Sequence, residues 1–365
     1  MKKIILFTDN LGSGGAQRQV ANVAVLLKTA GYDVSVLVYQ DNPFYKHILD
    51  ENDVPLVLVE SKGTVSRLMS IRKCLKKSGA DVVISFLAVP CFVACFSKMG
   101  HKKWKLITTE RSAKLTTFTA KKFRFFNKFE RFADAKVGNS HNAINMWKKY
   151  YPQYKDKYSV IYNHIRVPDE FVGGTHEYLQ NGKVRLTVAA SYQQLKNPLG
   201  VIEAVKLLSD EQKAKLEINW YGKAEVTAGN TVVYDKAASL IKEYSLEDCI
   251  YLNDETNDIY RIMQNSDAVG LFSTVEGLPN TICEAMTIGR PIVMSKVSDY
   301  DVLVSDNGYL CDPNSVESIK ESLVKLIETP KGELERMGNA SKEKAKELFS
   351  AEAITRQWIE IVERR

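Results

Sequence analysis

The sequence predicts an α/β protein made of two doubly wound domains, each built on a parallel sheet. Short apolar runs alternate with longer helical patterns along the whole chain, which is typical of parallel α/β architecture. The length of 365 residues exceeds what one hydrophobic core usually supports, so two domains are expected. Near the middle, residues 166–183 contain a proline and three glycines without clear periodicity, which indicates a linker.

The predicted strands are the short apolar runs between helical patterns. In the N-terminal half they are residues 4–7, 34–39, 56–59, 82–86, 106–109 and 135–138. In the C-terminal half they are residues 186–190, 216–221, 250–252, 268–272, 292–294 and 308–310. Helical patterns such as residues 16–30 and 198–208 fill most gaps. We therefore expect an N-terminal domain over residues 1–165 and a C-terminal domain over residues 184–348, with a cleft between them. Ligands of such sheets bind beyond the carboxyl ends of the strands.

Composition and charge argue against several classes of protein. The formal net charge of +6 is modest for this length and does not by itself indicate nucleic acid. The six cysteines lack CxxC spacing and no histidine cluster accompanies them, so neither a zinc site nor a disulfide scaffold is indicated. The first apolar run is too short for a signal peptide. Residues 82–99 are interrupted by polar residues and a proline, and they fit a buried strand and helix better than a membrane span. We expect a cytoplasmic protein.

A glycine-rich loop follows the first predicted strand. Gly12, Gly14 and Gly15 lie between that strand and an amphipathic helix, so backbone amides there could approach a phosphate or a sugar. A dinucleotide-binding fingerprint is not satisfied, because Gln17 occupies its last position and no acidic residue follows at the required distance. The alternatives that stay open are a loop that approaches a ligand and glycines that merely turn the chain.

Two glutamates frame the start of a predicted helix in STVEGLPNTICEAMTIGRPIVMS, residues 273–295. Glu276 lies in the loop that leaves a strand, and Glu284 lies in the second turn of the helix. Pro279 suits the first helical turn, and Gly289 is a natural C-cap. The free amides and positive end of the helix favour an anion, most naturally a diphosphate, and the carboxylates can accept hydrogen bonds from sugar hydroxyls. The alternative is that Glu276 complements the helix dipole and Glu284 is solvated.

This segment resembles the E-x7-E signature of the retaining, nucleotide-sugar-dependent family 4 glycosyltransferases, also called glycosyl transferases group 1, which have the GT-B fold. Four further segments are similar to parts of that family: GSGGAQRQVANVA, VGNSHNAINMW, VIYNHI and FSAEAITRQWIEIVE. The last resembles a terminal helix, here residues 349–365, that packs back on the N-terminal domain. The resemblance covers essentially the full length and implies the GT-B arrangement.

The resemblance implies a role for each matching residue. Glu276 and Lys196 become the catalytic residues, with Glu276 on the transferred sugar and Lys196 on the diphosphate leaving group. Glu284 would hold the ribose. The remaining implied donor-binding residues are Gly14, Gly15, Gly277, Leu278, Pro279, Asn280 and Thr281. The sequence departs from the family pattern where an arginine usually precedes the lysine, because Ala190 or Ser191 stands there, and Asn197 replaces a glycine.

Further cleft residues follow from the resemblance of two other segments, and they are Glu110, Arg111, Asn139 and Ser140. Arg111 is the candidate to replace the missing arginine; a domain-surface arginine is the alternative. Neither a metal nor another cofactor is expected, although residues 299–301 (Asp-Tyr-Asp) mimic a D-x-D motif. A nucleotide sugar, with UDP favoured, is the expected donor, and a glycan or lipid-linked saccharide is the expected acceptor. A non-catalytic sugar-nucleotide-binding protein and a sugar-nucleotide epimerase are the alternatives.

Residues 102–131 combine cations with aromatic side chains. Ten Lys or Arg residues oppose two glutamates, with one tryptophan and five phenylalanines interleaved. Such a segment suits an anionic membrane surface, at which the protein would be peripheral. No nucleic-acid-binding motif supports nucleic acid as the partner. The alternative is that the phenylalanines pack inward and the lysines are solvated.

Overall fold

The structure, a computed structural model, describes residues 1–100, 104–112, 114–172, 176–225 and 229–364. It divides into two compact units. Unit 1 consists of Met1–His164 and Phe349–Arg365, and unit 2 consists of Ile165–Leu348. The chain therefore leaves unit 1 once and returns to it after unit 2.

In unit 1 the described residues form a seven-stranded parallel sheet. Its strands are β1 (Lys3–Phe7), β2 (Asp33–Val38), β3 (Leu56–Leu58), β4 (Val82–Ser85), β5 (Lys105–Glu110), β6 (Ala135–Gly138) and β7 (Tyr158–Val160). The spatial order is β3-β2-β1-β4-β5-β6-β7, so the direction of winding reverses between β1 and β4. These two strands pair in register, with Phe7 opposite Ser85.

Unit 2 repeats this architecture with six described strands, all paired in parallel. They are β8 (Val184–Ala189), β9 (Leu216–Tyr221), β10 (Ile250–Asn253), β11 (Ala268–Leu271), β12 (Ile292–Ser295) and β13 (Gly308–Cys311). The order is β10-β9-β8-β11-β12-β13, and winding reverses between β8 and β11. Each unit is thus doubly wound, as the sequence predicts.

Helices connect the strands. They are α1 (Gly15–Thr29), α2 (Lys46–Asp50), α3 (Thr64–Lys77), α4 (Ala88–Lys98), α5 (Thr116–Thr119), α6 (Lys121–Asn127), α7 (His141–Tyr150), α8 (Pro198–Lys206), α9 (Asp210–Ala214), α10 (Val232–Glu243), α11 (Ile259–Gln264), α12 (Asn280–Ile288), α13 (Tyr300–Leu303), α14 (Val316–Glu328), α15 (Lys331–Phe349) and α16 (Ala351–Glu363). Serine side chains cap several of them: Ser140 accepts a hydrogen bond from Ala143 N at the start of α7, and Ser350 accepts one from Ala353 N at the start of α16.

The strands are buried because helices cover both faces of each sheet. All four residues of β4, β11 and β12 are buried, which is why these strands appear as continuous apolar runs rather than as alternating patterns. Helix α16 completes the core of unit 1: it packs against α1, and its fully buried Trp358 lies with its ring centroid 6.5 Å from that of Phe86.

Several sequence-based expectations can be compared with these elements. Residues 82–99 form β4 and α4, as predicted, and among the described residues no helix is long and apolar enough to cross a membrane. The cysteines are free, and all except the half-buried Cys74 are buried. Strand β7 was not predicted. Part of the expected linker is built into unit 2, where Tyr178 joins the hydrophobic core; Gly173 and Gly174 lie outside the described residues.

Candidate active site

The candidate site of unit 2 lies where the winding of its sheet reverses. Strands β8 and β11 are neighbours there, with Val188 opposite Gly270, and the chain leaves each strand in a different direction. Such a switch point creates a crevice at the carboxyl ends of the strands, which is where open α/β sheets bind ligands. Lys196 follows β8 and Glu276 follows β11, so the topology alone brings the two predicted catalytic residues to the same crevice.

Lys196 and Glu276 form an ion pair in this crevice. Lys196 Nζ lies 2.5 Å from Glu276 Oε1, and the two side chains are 21% and 14% exposed. The same carboxylate oxygen accepts a hydrogen bond from Ser273 Oγ at 2.7 Å. Ser273 lies two residues after β11 and is fully buried, so a buried hydroxyl and a partly exposed ammonium group hold the same carboxylate oxygen.

Three contacts fix the loop that carries Glu276. Thr274 N donates to Leu195 O at 2.8 Å, which ties this loop to the turn that carries Lys196. Ser295 Oγ donates to Ser273 O at 2.6 Å, and Ser298 Oγ donates to Gly277 O. Sequence reasoning assigned no role to these serines. The serine at the start of the E-x7-E segment was visible as part of the motif, but nothing in its spacing identified its partner.

Helix α12 begins immediately after this loop. Its first backbone bonds run from Ile282 N and Cys283 N to Pro279 O, so the amides of residues 277–281 precede the helix's own hydrogen-bonded ladder. Pro279 occupies the N-cap rather than the predicted first helical turn. Its fixed φ and missing N–H suit either position, and sequence did not distinguish them. Gly289 is left-handed at the C-cap, with φ of 89°, as predicted.

Glu284 lies in the second turn of α12 and is buried, with 8% of its surface exposed. This burial argues against the alternative in which Glu284 is merely a solvated helix residue. A buried carboxylate so close to a helix N-terminus is stabilised by the helix dipole. Thr281 Oγ1 donates to Ala189 O at 3.3 Å and thereby anchors the first turn of α12 to the end of β8.

The two departures from the family pattern have different structural consequences. Asn197 adopts the left-handed conformation, with φ of 63°, a region that asparagine tolerates better than most residues, so it replaces glycine without difficulty. At the position of the missing arginine, Ser191 Oγ accepts a hydrogen bond from Gln193 Nε2, and Ala190 O accepts one from Trp220 Nε1 at 2.6 Å. Neither residue brings a positive charge to the crevice.

The predicted residues of the other unit meet at the carboxyl edge of its sheet. Glu110 ends β5, Arg111 follows it, and Asn139 and Ser140 connect β6 to α7. Glu110 Oε1 accepts hydrogen bonds from the backbone N–H groups of Arg111 and Ser112, and its Oε2 accepts one from Trp147 Nε1 at 3.0 Å. The Glu110 carboxylate therefore holds the backbone after β5 and the indole of Trp147 together at this edge of the sheet.

Gly14 and Gly15 lie at the same edge of unit 1, after β1. Gly14 is the N-cap of α1 and Gly15 is its first residue. A β-carbon on Gly14 would lie only 2.3 Å from Gln17 Oε1, the flexible end of a side chain. The predicted approach of these glycines to a donor stays a prediction, as does the action of Arg111 on the donor's diphosphate.

The two aspartates of the D-x-D mimic lie in different surroundings. Asp299 is buried at the start of α13, while Asp301 is exposed on that helix. Across the part of the chain that the structure describes, no group of three or more His, Cys, Asp or Glu side chains is arranged to hold a metal ion.

The basic aromatic segment presents two kinds of surface. Lys102 and Lys103 lie outside the described residues. Within residues 114–131, Phe118 is buried and Phe126 stacks on Phe92 with centroids 4.3 Å apart, as the inward-packing alternative expects. Leu115 and Phe125, however, are 54% and 53% exposed. They lie among six exposed cations: Lys114, Lys121, Lys122, Arg124, Lys128 and Arg131. We call residues 114–131 the basic aromatic surface.

Two family models match the chain. Glycosyltransferase Family 4 matches residues 13–167, and Glycosyl transferases group 1 matches residues 177–344. An uncharacterized glycosyltransferase of Haemophilus influenzae is 26% identical, with 98% of this chain and 99% of that protein aligned. A Campylobacter jejuni N-acetylgalactosamine-N,N'-diacetylbacillosaminyl-diphospho-undecaprenol 4-alpha-N-acetylgalactosaminyltransferase is 23% identical, with 95% and 94% aligned.

Solved structures of glycosyltransferases share the fold. The chain aligns with the HepE protein of Anabaena in complex with UDP at a TM-score of 0.82 and 17% identity, and the alignment covers 99% of each chain. This likeness supports the GT-B fold that the sequence predicts.

Proposed function

Because this chain belongs to the family 4 (group 1) glycosyltransferases, and is therefore a glycosyltransferase, we propose that it moves a hexose or N-acetylhexosamine from a nucleotide sugar to a glycan or lipid-linked saccharide with retention of anomeric configuration. The observation that carries the proposal is the contact between Lys196 and Glu276 in the crevice of unit 2, next to the N-terminus of α12. A cation and a helix N-terminus bind a diphosphate, and a carboxylate can accept hydrogen bonds from the hydroxyls of the attached sugar.

In this proposal, donor binding separates the ion pair. The diphosphate attracts the ammonium group of Lys196 and accepts hydrogen bonds from amides of residues 277–281. Ser273 Oγ keeps the Glu276 carboxylate in place, and a hydroxyl of the transferred sugar takes the position that the ammonium group of Lys196 leaves. Glu284, further along α12, accepts hydrogen bonds from the ribose hydroxyls. The UDP-bound HepE structure supports UDP as the nucleotide.

The chemical step breaks the bond between the anomeric carbon and the diphosphate oxygen. The acceptor hydroxyl attacks the anomeric carbon from the same face, through an oxocarbenium-like transition state, and its proton passes to the departing phosphate oxygen. Lys196, the amides and the helix dipole stabilise the negative charge that develops on the diphosphate. No residue in the crevice is assigned as a covalent nucleophile. We propose that no metal is required, so transfer should persist in excess EDTA.

The acceptor class rests on a relative and on the basic aromatic surface. The name of the Campylobacter jejuni relative specifies a diphospho-undecaprenol acceptor, which is membrane-bound through its lipid. Exposed apolar side chains surrounded by lysines and arginines suit an anionic bilayer, and each cation near lipid contributes about 1 kcal/mol. We propose that Leu115 and Phe125 insert at the membrane interface and hold unit 1 near a lipid-linked acceptor.

The transfer reaction is tested by incubating the protein with a panel of nucleotide sugars and diphosphate-linked saccharide acceptors. Donors are first ranked by the melting temperature that each confers, since binding to the native state raises apparent stability. The anomeric configuration of the product is then read by NMR. Glu276→Gln should bind UDP like the wild type but lose turnover. Inversion of configuration, or an epimerised nucleotide sugar as the product, would contradict the proposal.

Membrane association is tested separately by sedimentation with vesicles. Vesicles containing phosphatidylglycerol should retain the protein, and neutral phosphatidylcholine vesicles should not. Leu115→Ser together with Phe125→Ser should weaken retention. Val232→Ser is the matched control, because Val232 is an apolar side chain of unit 2 that is 69% exposed. Equal sedimentation with both vesicle types would contradict the role of the basic aromatic surface.

A further inference from the structure

Arg111 is a half-buried arginine that forms no ion pair with any described carboxylate. Its guanidinium lies over the ring of Phe86, 4.8 Å from the centroid, and one terminal nitrogen donates to Asn163 Oδ1 at 3.1 Å. Among the described residues, its Nε and its other terminal nitrogen are both shielded from solvent and lack a hydrogen-bond partner. A buried charged group in this state is costly unless a ligand completes it.

The neighbouring carboxylate does not satisfy these donors. The described hydrogen bonds of Glu110 come from the backbone of Arg111 and Ser112, from the hydroxyl of Ser112 and from Trp147. The pKa of Arg111 is lowered to about 10 because burial disfavours its charge, so it still carries a full positive charge at neutral pH. The edge of the sheet thus keeps a cation with two unused donors.

Arg111 lies at the switch point of the unit 1 sheet, which is where open α/β sheets bind ligands. Phe86 is the first residue after β4, and its amide donates to Phe7 O at the end of β1, so the guanidinium reaches the switch point of the unit 1 sheet. Two other buried groups near this edge have an unpartnered oxygen among the described residues: Asn139 Oδ1, after β6, and Gln19 Oε1, on α1. Gln19 Nε2 donates to His164 O, next to Asn163. Amide oxygens of this kind accept hydrogen bonds from hydroxyls.

We propose that Arg111 and Asn163 form a phosphate-binding subsite of unit 1, and that its ligand is the phosphate that links the acceptor saccharide to its carrier. This inference rests on the proposed function, which supplies an acceptor with a diphosphate. A guanidinium offers two parallel N–H donors, which match a phosphate group better than a lone hydroxyl or amide. The unpartnered oxygens of Asn139 and Gln19 suit the hydroxyls of a saccharide attached to that phosphate.

We assign the ligand of the Arg111 subsite to the acceptor rather than to the donor, because each unit has its own switch point and its own cation. Lys196 lies in unit 2 beside the helix end that the proposed function assigns to the donor's diphosphate. Arg111 lies in unit 1, and the hydrogen bond, ring contact and unsatisfied groups that define its subsite all belong to that unit. The subsite therefore has the parts to bind an anion by itself.

The first experiment measures anion binding without turnover. Sodium pyrophosphate is added to Lys196→Ala, which lacks the cation of the unit 2 crevice, and the melting temperature is compared with that in sodium chloride of equal ionic strength. Pyrophosphate should stabilise Lys196→Ala, and this stabilisation should be lost in Lys196→Ala combined with Arg111→Gln. Arg356→Gln, an exposed arginine on α16, is the matched control in the same background. No stabilisation of Lys196→Ala by pyrophosphate would overturn the subsite.

The second experiment identifies the source of the phosphate by steady-state kinetics. Arg111→Gln should raise the KM for a diphosphate-linked acceptor about tenfold to hundredfold, the loss expected for a hydrogen bond to a charged group. The KM for the nucleotide sugar should stay within about twofold. A rise in the donor KM instead would overturn the assignment to the acceptor. If Arg111→Gln folds poorly, Arg111→Lys takes its place. This variant keeps the positive charge but lacks the two parallel N–H donors, so its acceptor KM should still be higher than that of the wild type, by less than in Arg111→Gln.

The failure of this inference differs from the failure of the proposed function. If the wild-type protein transfers no sugar in any combination of donor and acceptor, the proposed function fails, while the pyrophosphate experiment still decides whether the subsite exists. If the wild type transfers sugar and Arg111→Gln has unchanged kinetic constants for both substrates, the inference alone is overturned.

Discussion

Replacing Lys196 with alanine should separate catalysis from stability in this protein. The ion pair with Glu276 spans 2.5 Å, but both side chains keep contact with solvent, so its contribution to folding is about 1 kcal/mol or less. That corresponds to a fall in melting temperature of about 2–4 °C for a unit of this size. In the proposed transition state the same ammonium faces the charge that develops on the diphosphate, and removal of one such donor typically costs about 2.7–4 kcal/mol. We therefore expect kcat to fall about 10²- to 10³-fold.

The assay is release of nucleoside diphosphate under saturating donor and acceptor, with the melting temperature measured on the same samples. Lys213→Ala is the control, because Lys213 forms an ion pair at 3.5 Å with the fully exposed Asp210 on the same unit. This control should change neither kcat nor the melting temperature appreciably. A loss of kcat smaller than about tenfold in Lys196→Ala would refute the assigned role. So would a loss of stability large enough to unfold the protein at the assay temperature.

Three further predictions concern other contacts. Ser273→Ala removes the hydroxyl that holds the Glu276 carboxylate and should lower kcat/KM at least tenfold, because a hydrogen bond to a charged group contributes about 1.5–3 kcal/mol; an unchanged value in steady-state assays would contradict this. Lys136→Met leaves the carboxylate of Glu130, which lies 3.0 Å from Lys136 Nζ, buried without its cation. This change should lower the free energy of unfolding of unit 1 by about 3–5 kcal/mol in urea unfolding. The double variant Lys136→Met with Glu130→Gln should lose less stability than Lys136→Met alone. Burial opposes the charge of Lys136, but Glu130, Cys91 and Glu110 together outweigh burial and raise the pKa of Lys136. This stabilisation is therefore complete below about pH 10.4 and should be lost at higher pH as the folded-state pKa is passed. Burial opposes the charge of Asp267, but hydrogen bonds from a histidine and two backbone amides outweigh burial and lower the pKa of Asp267. The contribution of this carboxylate to folding stability should therefore be present above about pH 3.9 and lost as the pH falls further. Asp267→Asn should make the melting temperature fall less steeply with decreasing pH in this acid range.

The sequence identified most strands because burial on both faces produces continuous apolar runs. Strand β7 escaped for the opposite reason: Tyr158–Val160 has three residues, all half-buried, at the edge of its sheet. It pairs with β6 through long-range contacts that no local pattern records. The polar Ser159 at its centre interrupts the apolar run that marks the other edge strands, β3, β10 and β13.

The ends of α12 illustrate the same limit within the candidate site. Gly289 was predictable as a C-cap, because a left-handed residue is strongly encoded by glycine. The pairing of Lys196 with Glu276 required the motif and the topology together, since the two residues lie 80 positions apart in sequence. The contacts of Ser273 and Ser298 could not be foreseen, because a serine's partner is decided by tertiary packing and leaves no trace in spacing.

The return of the chain to unit 1 has a consequence for biosynthesis. A ribosome makes residues 165–348 before it makes α16, so the whole of unit 2 can fold while unit 1 still lacks a helix. During that interval the space filled by Trp358, which is fully buried in the native state, stays open beside Phe86 and α1. The nascent chain therefore exposes an apolar surface on its first-made part for as long as the second takes to emerge. Unit 1 is therefore synthesised first, but it completes its core only after all of unit 2 has been made.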